Sequence, residues 1–174
     1  MKIIKGQYKN CEIPCPLSAR PVSAKFREAY FQIIEPFELM NFVDLFCGSG
    51  IMGIEFLSRY PQSKVYFVDN NLKTLKQLES ILKKLSAHNY ELIQANAFDF
   101  KRQISDVNLI FADPPFPNFN MEGILQSFLN IIPPGQASLI SYKAPKKFAS
   151  GRNYGDVKLQ LGLIDEDRHI SWKF

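Results

Sequence analysis

Apolar runs of strand length alternate with helical segments through most of this chain, and this alternation restricts the fold more than any other feature. The apolar runs lie at 41–46, 64–68, 90–94, 107–112 and 137–142. The helical segments lie at about 50–59, 71–86, 97–103 and 121–131. Such alternation predicts an α/β domain in which a mostly parallel sheet has right-handed crossovers and helices on both faces.

The two ends of the chain follow other patterns. The first sixteen residues stop at two prolines and predict a short hairpin, and Ser23 is placed to cap a helix that ends before Pro36. Segments 157–162 and 167–172 predict two strands joined by an acidic turn, so we expect an antiparallel hairpin at the end of the sheet. We expect a single domain, 1–174, with an N-terminal extension, 1–35, and a core, 36–174.

The length and composition of the chain exclude several classes of protein. A chain of 174 residues with 46% hydrophobic residues can form one domain that buries roughly 70% of its unfolded surface. Its apolar runs fall short of the ~20 residues that span a bilayer, and its start breaks too early for a signal peptide. The spacing of Cys11, Cys15 and Cys47 and the isolation of both histidines predict neither a disulfide framework nor a metal site. We expect a cytoplasmic monomer without a metal.

Positive charge is concentrated near the N-terminus. The net charge of the chain is +4, and residues 1–27 hold six basic residues against one acid. A second basic group follows the run at 137–142. Basic groups on a globular protein are usually solvated faces, but these two flank the motifs described below, which favours contact with nucleic acid. The candidate residues for phosphate contact are Lys2, Lys5, Lys9, Arg20, Lys25, Arg27, Lys143, Lys146 and Lys147.

A glycine-rich loop joins the first strand of the alternating region to the helix after it. Gly48, Gly50 and Gly53 have the spacing G-x-G-x-x-G, and Asp69 follows Gly50 by nineteen residues at the end of the next strand. The same spacing is typical of dinucleotide-binding folds, in which the acid binds ribose hydroxyls. The glycines alone do not decide between cofactors, and a tight turn without a ligand is an alternative.

Asp44 separates the possible cofactors. It lies four residues before Gly48, on the strand that leads into the loop. A carboxylate at this place repels a pyrophosphate and attracts an ammonium or sulfonium group, and S-adenosylmethionine carries both. A structural role, as a helix cap or a partner of a backbone amide, is the alternative. After the third strand, Asn96-Ala97-Phe98 offers an amide and an aromatic face to an adenine.

A second motif, Asp113-Pro114-Pro115-Phe116, directly follows the apolar run at 107–112. Each proline fixes its own φ and lacks an N–H group, so the motif predicts a stiff loop at the end of a buried strand. This loop holds carbonyl groups and one carboxylate outward beside an aromatic ring, which suits a flat ring that bears an amine. The alternative is a rigid turn that only ends the strand.

These motifs and several other segments carry a family resemblance. The segments are Ile3–Tyr8, Arg20–Ser23, Arg27–Phe31, Asp44–Tyr60, Phe111–Phe116 and Tyr154–Asp156. On them the chain resembles the class I S-adenosylmethionine-dependent methyltransferases, and specifically the RsmD family, the bacterial 16S rRNA (guanine-N2)-methyltransferases. The resemblance implies a Rossmann-like fold with a mostly parallel seven-stranded sheet. It also implies a target, the exocyclic N2 amine of guanine 966 in 16S rRNA within a small-subunit assembly particle.

The resemblance further implies a role for each motif. S-adenosylmethionine would be bound by Asp44, Phe46, Gly48, Ser49, Gly50, Asp69, Asn70, Asn96 and Ala97. The target base would be held by Asp113, Pro114, Pro115 and Phe116. Three positions depart from the family pattern, which usually has threonine at Val22, a different acidic motif at Asp69-Asn70-Asn71 and an acid near Lys143. Ser23 is available to replace the threonine.

The implied mechanism needs hydrogen-bond acceptors rather than a covalent nucleophile. Asp113 and the Pro114 carbonyl would accept the two N–H bonds of the amine and direct its lone pair to the methyl group, while Phe116 stacks on the base. Cys47 lies in the glycine loop, so a covalent mechanism is not expected. The alternatives are an adenine-N6 methyltransferase acting on DNA or RNA, a nicotinamide-dependent oxidoreductase, and a non-catalytic RNA-binding module.

Overall fold

The computed structural model describes residues 1–15, 22–35, 41–115, 117, 119–145, 152–154 and 157–173. Its helices are α1 (Ala24–Ile34), α2 (Ile51–Arg59), α3 (Leu72–Lys84) and α4 (Met121–Ile131). Its strands are β1 (Asn41–Leu45), β2 (Lys64–Asp69), β3 (Tyr90–Gln94), β4 (Val107–Ala112), β5 (Ser138–Pro145), β6 (Arg152–Tyr154), β7 (Val157–Ile164) and β8 (Ile170–Trp172). None of the helices in this described part of the chain is long and apolar enough to cross a membrane.

The strands form one mixed sheet in the order β3-β2-β1-β4-β5-β7-β6, with β8 paired to β7. Strands β1 to β5 pair in parallel, whereas β6, β7 and β8 join the sheet in antiparallel pairs. The chain runs outward from β1 through β2 to β3 and then returns to place β4 on the other side of β1. The crevice between β1 and β4 is therefore the switch point at which open α/β sheets bind ligands.

The strands contribute to two cores, one on each face of the sheet. Along β1, Phe42 packs in the core that contains residues of α1, α2 and α3, whereas Val43 and Leu45 pack in the core that contains residues of α4. This division follows from the period of two along a strand. Asp44 lies on the Phe42 side and is 2% exposed. A buried carboxyl group at the switch point needs a hydrogen-bond donor.

One buried carboxylate, Glu55 of α2, holds the N-terminal extension on the core. Its oxygens accept hydrogen bonds from the backbone N–H groups of Ile4 at 2.9 Å and Lys5 at 3.1 Å. The side chain of Arg59 also donates to Glu55, at 3.1 Å, and Nε of Arg27 lies 3.8 Å away. Because Glu55 is fully buried, its charge requires these partners. The contacts therefore fix the extension against α2.

The predicted N-terminal hairpin is present but short. Lys2 and Glu12 form an antiparallel bridge, the N–H of Ile13 donates to the carbonyl of Met1 at 2.6 Å, and the N–H of Ile3 donates to the carbonyl of Cys11 at 3.0 Å. The backbone N–H groups of Ile4 and Lys5 donate to Glu55, so they are not available to an opposite strand. Contact with α2 therefore shapes this segment.

The helix predicted at 97–103 is wrong, because the segment forms turns and irregular chain. In a helix the carbonyl of Phe100 would accept the N–H of Ile104. Both groups bind α4 instead: Nδ2 of Asn130 donates to the carbonyl of Phe100 at 3.1 Å, and the N–H of Ile104 donates to the carbonyl of Ile131 at 2.9 Å. By contrast, the helix predicted after Ser23 is confirmed as α1, with Ser23 as its N-cap.

The antiparallel end of the sheet is confirmed. Strand β7 pairs with β8 as predicted. The sequence did not predict β6, a strand of three residues that pairs with the other side of β7 and brings the sheet to eight strands. Such a short edge strand is defined by its partner rather than by an apolar pattern of its own.

Gly53 allows α2 to approach the sheet closely. A methyl group at this position would lie 2.2 Å from Cε1 of Phe67 and 2.9 Å from Cγ1 of Val65. Both side chains belong to β2 and are fully buried. The third glycine of the G-x-G-x-x-G spacing is therefore required by the packing of helix on strand.

We expect Gly53→Ala to destabilise the protein by about 1–3 kcal/mol, because the added methyl group has no space against the side chains of β2. Urea unfolding measures this change. Gln77→Ala, at an exposed position of α3, is the control and should change the stability by less than about 0.5 kcal/mol. A Gly53→Ala variant as stable as the parent would contradict the packing argument.

Candidate active site

A cavity of about 940 Å³ opens at the carboxyl ends of the central strands. The predicted residues that line it are Asp44, Phe46, Gly48, Ser49, Asp69, Asn70, Asn96, Ala97, Asp113, Pro114 and Pro115. Phe98, predicted to offer its ring to an adenine, also lines the cavity, and the lining residues without a predicted cofactor or base contact are Val22, Cys47, Ile51, Met52, Phe111, Pro117, Asn120 and Lys143. The glycine loop and the proline motif therefore face one space.

The carboxylate of Asp44 is buried between β1 and α2. Its Oδ2 atom accepts a hydrogen bond from the backbone N–H of Gly53 at 3.0 Å, in the first turn of α2. The N-cap of α2 is Gly50, which has no side chain, so Asp44 supplies the capping acceptor from the neighbouring strand. Burial raises the pKa of Asp44 well above its usual range; the Gly53 hydrogen bond opposes this rise, and the Asp113 and Asp69 carboxylates add to it.

Left-handed residues shape the loop between β1 and α2. Phe46 has φ of +59° and Gly48 has φ of +52°. The backbone N–H of Gly48 donates to Oδ2 of Asp69 at 2.9 Å, and the N–H of Asn71 donates to Oδ1 at 2.9 Å. A carboxylate has roughly four acceptor positions, so Asp69 retains positions for the hydroxyl groups of a ribose.

Gly50 was predicted to contact the cofactor, but the structure gives it a packing role. It is absent from the described residues that line the cavity. Its φ of +71° lies in the left-handed region, and a methyl group there would lie 2.5 Å from Cδ1 of Leu78 on α3. Glycine is needed at this position for the turn and for the approach of α3.

An aromatic pair lies at the β3 side of the cavity. The rings of Phe46 and Phe98 have centroids 4.7 Å apart and planes inclined at 63°. Asn96 and Ala97 also line the cavity. Because Oδ1 of Asn96 accepts the N–H of Phe98, its NH₂ group is the part that can donate to a ligand. This combination suits a flat heterocycle with a polar edge.

Asp113 begins the loop after β4, beside β1 at the switch point. Its backbone N–H donates to the carbonyl of Leu45 at 3.4 Å. Its carboxylate pairs with Nζ of Lys143. Pro114 is buried and Pro115 is exposed. Phe116, predicted to stack on the target base, lies outside the described residues.

Cys47 lines the cavity as a protonated thiol. Burial raises the pKa of Cys47 well above its ordinary value, and the nearby Asp44 and Asp69 carboxylates add to this rise. A thiol that stays protonated is a weak nucleophile. Within the described residues, no group of three or more His, Cys, Asp or Glu residues is arranged to hold a metal ion.

The residues predicted to contact phosphates fall into three groups. Lys2, Lys5, Lys9 and Lys25 are exposed. Arg20, Lys146 and Lys147 lie outside the described residues. Arg27 and Lys143 do not lie on an outer surface; the burial of Arg27 corrects the sequence prediction, whereas the predicted RNA contact of Lys143 stays a prediction.

Arg27 is enclosed by the protein. Its side chain is 2% exposed, and its guanidinium donates to the backbone carbonyls of Val22 and Lys2, both at 2.6 Å. Burial lowers the pKa of Arg27, and the neighbouring Glu55 carboxylate opposes this effect. Because these partners surround it, Arg27 stabilises the extension and cannot reach a phosphate.

Lys143 lies inside the cavity. Its side chain is 11% exposed, and its ammonium pairs with the carboxylate of Asp113. The centroid of the Phe26 ring lies 5.3 Å from Nζ. Its position therefore makes it part of the candidate site.

Comparison with known proteins adds to this geometry. A protein family described as Conserved hypothetical protein 95 matches residues 1–147. Ribosomal RNA small subunit methyltransferase D of Buchnera aphidicola subsp. Baizongia pistaciae is 37% identical over 121 residues, which cover 67% of this chain and 61% of that relative. The protein of the same name from Escherichia coli K12 is 32% identical over 136 residues, which cover 76% of this chain and 66% of that relative. The matches thus span less than two thirds of these relatives.

Solved structures share the fold. The proposed methylase HI0767 of Haemophilus influenzae has a TM-score of 0.72 at 26% identity, covering 92% of this chain and 96% of that chain. The proposed methyltransferase yhhF of Escherichia coli has a TM-score of 0.77 at 24% identity, with the same coverage of 92% and 96%. These likenesses confirm the Rossmann-like class I methyltransferase fold.

We expect the binding of S-adenosylmethionine to release a proton from Asp44. Burial holds the pKa of Asp44 above its usual range in the empty protein, and a bound cation favours the carboxylate. Affinity should therefore rise with pH between the lower pKa of the complex and the raised pKa of the empty protein. Calorimetry in buffers of different ionisation enthalpy measures the released proton.

Asp44→Asn is the matched control for this linkage. It keeps an acceptor for the N–H of Gly53 and loses the charge. We expect it to bind more weakly by roughly 1.5–3 kcal/mol and without the pH dependence. Equal proton release by the parent and by Asp44→Asn would show that another group is responsible.

Proposed function

Because the chain belongs to the family described as Conserved hypothetical protein 95, and curated relatives carry the name ribosomal RNA small subunit methyltransferase D, we propose that it transfers a methyl group from S-adenosylmethionine to ribosomal RNA. The acceptor proposed is the N2 amine of a guanine in 16S rRNA, guanine 966. One observation carries this proposal: Asp113 lines the same cavity as Asp44 and Asp69. The cavity thus contains both an acceptor for the target amine, Asp113, and a carboxyl group that suits a cationic cofactor, Asp44.

The residues of the cavity fit S-adenosylmethionine. The buried carboxyl of Asp44 suits a positive charge, and Asp69 has acceptor positions for the ribose. Phe46, Phe98 and Asn96 suit the adenine. A volume of about 940 Å³ lies within the range of ligand sites. When bound, this cofactor supplies an electrophilic methyl group.

Asp113 and Pro114 are proposed to activate the target amine. The amine of guanine is a weak nucleophile because its lone pair is delocalised into the ring. The Asp113 carboxylate and the Pro114 carbonyl accept its N–H bonds, which localises the lone pair and orients it for attack. After transfer the nitrogen is cationic, and Asp113 or water takes its proton.

The exposed lysines of the N-terminal extension are proposed to contact RNA phosphates. Val22 of the extension lines the cavity, so the extension borders the place where the base enters. Lys2 pairs with Glu12 at 3.7 Å and Lys5 pairs with Glu35 at 3.3 Å, both between exposed side chains. Such pairs are weak, so a phosphate can replace the glutamate. We propose that the chain acts as a cytoplasmic monomer on RNA of an assembling small subunit.

Mass analysis of nucleosides tests the proposal. Small-subunit RNA, both free and within partly assembled small subunits, is incubated with the full chain and with cofactor labelled in its methyl group, and is then digested. We expect labelled N2-methylguanosine. Labelled N6-methyladenosine would replace the guanine assignment with an adenine methyltransferase, and an absence of label in both forms of the RNA would contradict the methyltransferase proposal.

Asp113→Asn should slow single-turnover transfer roughly 100-fold or more, because an amide is a weaker acceptor for the amine than a carboxylate. Its affinity for S-adenosylhomocysteine should stay within about threefold of the parent, since the lost contact acts in the transition state. Asp106→Asn makes the same change at an exposed residue before the start of β4 and should leave the rate unchanged. Transfer by Asp113→Asn at the parent rate would exclude Asp113 as the orienting acceptor.

A further inference from the structure

Lys143 is the cation of the candidate site. It lies on β5, the strand that pairs with β4. Tyr142 pairs with Ala112, so Lys143 lies beside Asp113, the residue that follows β4. Among the described residues that line the cavity, it is the one with a basic side chain, whereas Asp44, Asp69 and Asp113 are acidic. Its charge therefore acts on the acids of the cavity.

Two contacts hold the ammonium group of Lys143. Nζ pairs with Oδ2 of Asp113, and the centroid of the Phe26 ring lies 5.3 Å from Nζ. The side chains of Lys143 and Asp113 are 11% and 21% exposed, so the pair is largely withdrawn from water. The face of an aromatic ring attracts a cation in such a place. The carboxylate and the ring together restrict where the ammonium can lie.

A buried network fixes Phe26 in turn. Its ring stacks on Tyr30, with centroids 6.3 Å apart and planes inclined at 12°. The hydroxyl groups of Tyr30 and Ser141 form a hydrogen bond of 2.9 Å, and Ser141 donates to the carbonyl of Ile110 at 3.1 Å. Ser141 lies two residues before Lys143 on β5. The network therefore ties α1 to β4 and β5 beside the ion pair.

We propose that Lys143 is a positioning residue that orients the carboxylate of Asp113 toward the target amine. By holding Oδ2, the ammonium fixes the plane of the carboxylate and leaves Oδ1 to accept an N–H bond. The inference rests on the proposed function, because it acts in the step in which Asp113 orients the amine. It also gives α1 of the N-terminal extension a part in shaping the site, through Phe26.

A positioning residue and a phosphate contact differ in how they depend on Asp113. A lysine that binds a phosphate contributes to RNA affinity whatever residue stands at position 113. A lysine that orients Asp113 loses its effect once the carboxylate is removed. Substitutions at the two positions are therefore additive in the first case and non-additive in the second.

Lys64 offers a matched control outside the cavity. Its Nζ pairs with Glu91 at 3.2 Å and lies 4.5 Å from the centroid of the Tyr66 ring. It thus has the same kinds of partner as Lys143, a carboxylate and an aromatic ring. Lys64 is the first residue of β2, so it lies at the amino end of that strand, whereas the cavity lies at the carboxyl ends of the strands.

The test measures single-turnover methyl transfer to RNA by the full chain and by three variants. Lys143→Met should slow transfer roughly 10- to 100-fold while the affinities for RNA and for S-adenosylhomocysteine stay within about threefold of the parent. Lys143→Arg should recover part of the rate, because a guanidinium also pairs with a carboxylate. Lys64→Met should match the parent. Thermal unfolding confirms that each variant is folded.

A double-mutant cycle with Asp113→Asn tests whether Lys143 affects the rate through Asp113. In that background, Lys143→Met should change the rate by less than about twofold. If Lys143→Met slows transfer by the same factor in the parent and in the Asp113→Asn background, the proposal is overturned. It is also overturned if Lys143→Met lowers the salt slope of RNA binding by about one, because that change marks a phosphate contact. If the parent methylates RNA and Lys143→Met is equally fast, this inference alone fails. If the parent transfers no methyl group, the proposed function fails with it.

Discussion

The hydrogen bond from the backbone N–H of Gly53 to the buried carboxylate of Asp44, 3.0 Å long, joins β1 to the first turn of α2. It requires the close approach that Gly53 permits, and it replaces the side-chain cap that Gly50 cannot supply. It also fixes a carboxyl with a raised pKa at the point where the strand order of the sheet reverses. The hydrogen bond that caps α2 therefore also holds the carboxyl group of Asp44 at the cavity, where it can attract a positive charge.

Helix α2 connects this cavity wall to the N-terminal extension. Its first turn binds Asp44, and its buried Glu55 holds the backbone of the extension. The extension in turn contributes Val22 to the cavity and places Phe26 against the ammonium of Lys143. Each buried charge in this arrangement has an opposite charge or backbone donors beside it, as burial demands. The extension and the core thus build the site together.

The features that depend on local pattern could be predicted from the sequence. Apolar runs located β1 to β5, and the glycine spacing located the loop at the cavity. The roles of Arg27 and Lys143 could not be predicted, because a basic residue has the same local pattern whether its partner is a phosphate or an acid distant in the chain. The helix predicted at 97–103 failed because backbone groups of Phe100 and Ile104 bind α4, a partner distant in the chain.

The acids of the cavity should select a cationic adenosyl cofactor over a dinucleotide. The glycine spacing fits both kinds of ligand, and the carboxyl group of Asp44 separates them. Calorimetric titration of the full chain with S-adenosylmethionine and, under the same conditions, with NAD tests this selection most directly. We expect saturable binding of S-adenosylmethionine and no detectable binding of NAD. NAD binding as tight as that of S-adenosylmethionine, or no binding of either, would contradict the assignment of the cavity.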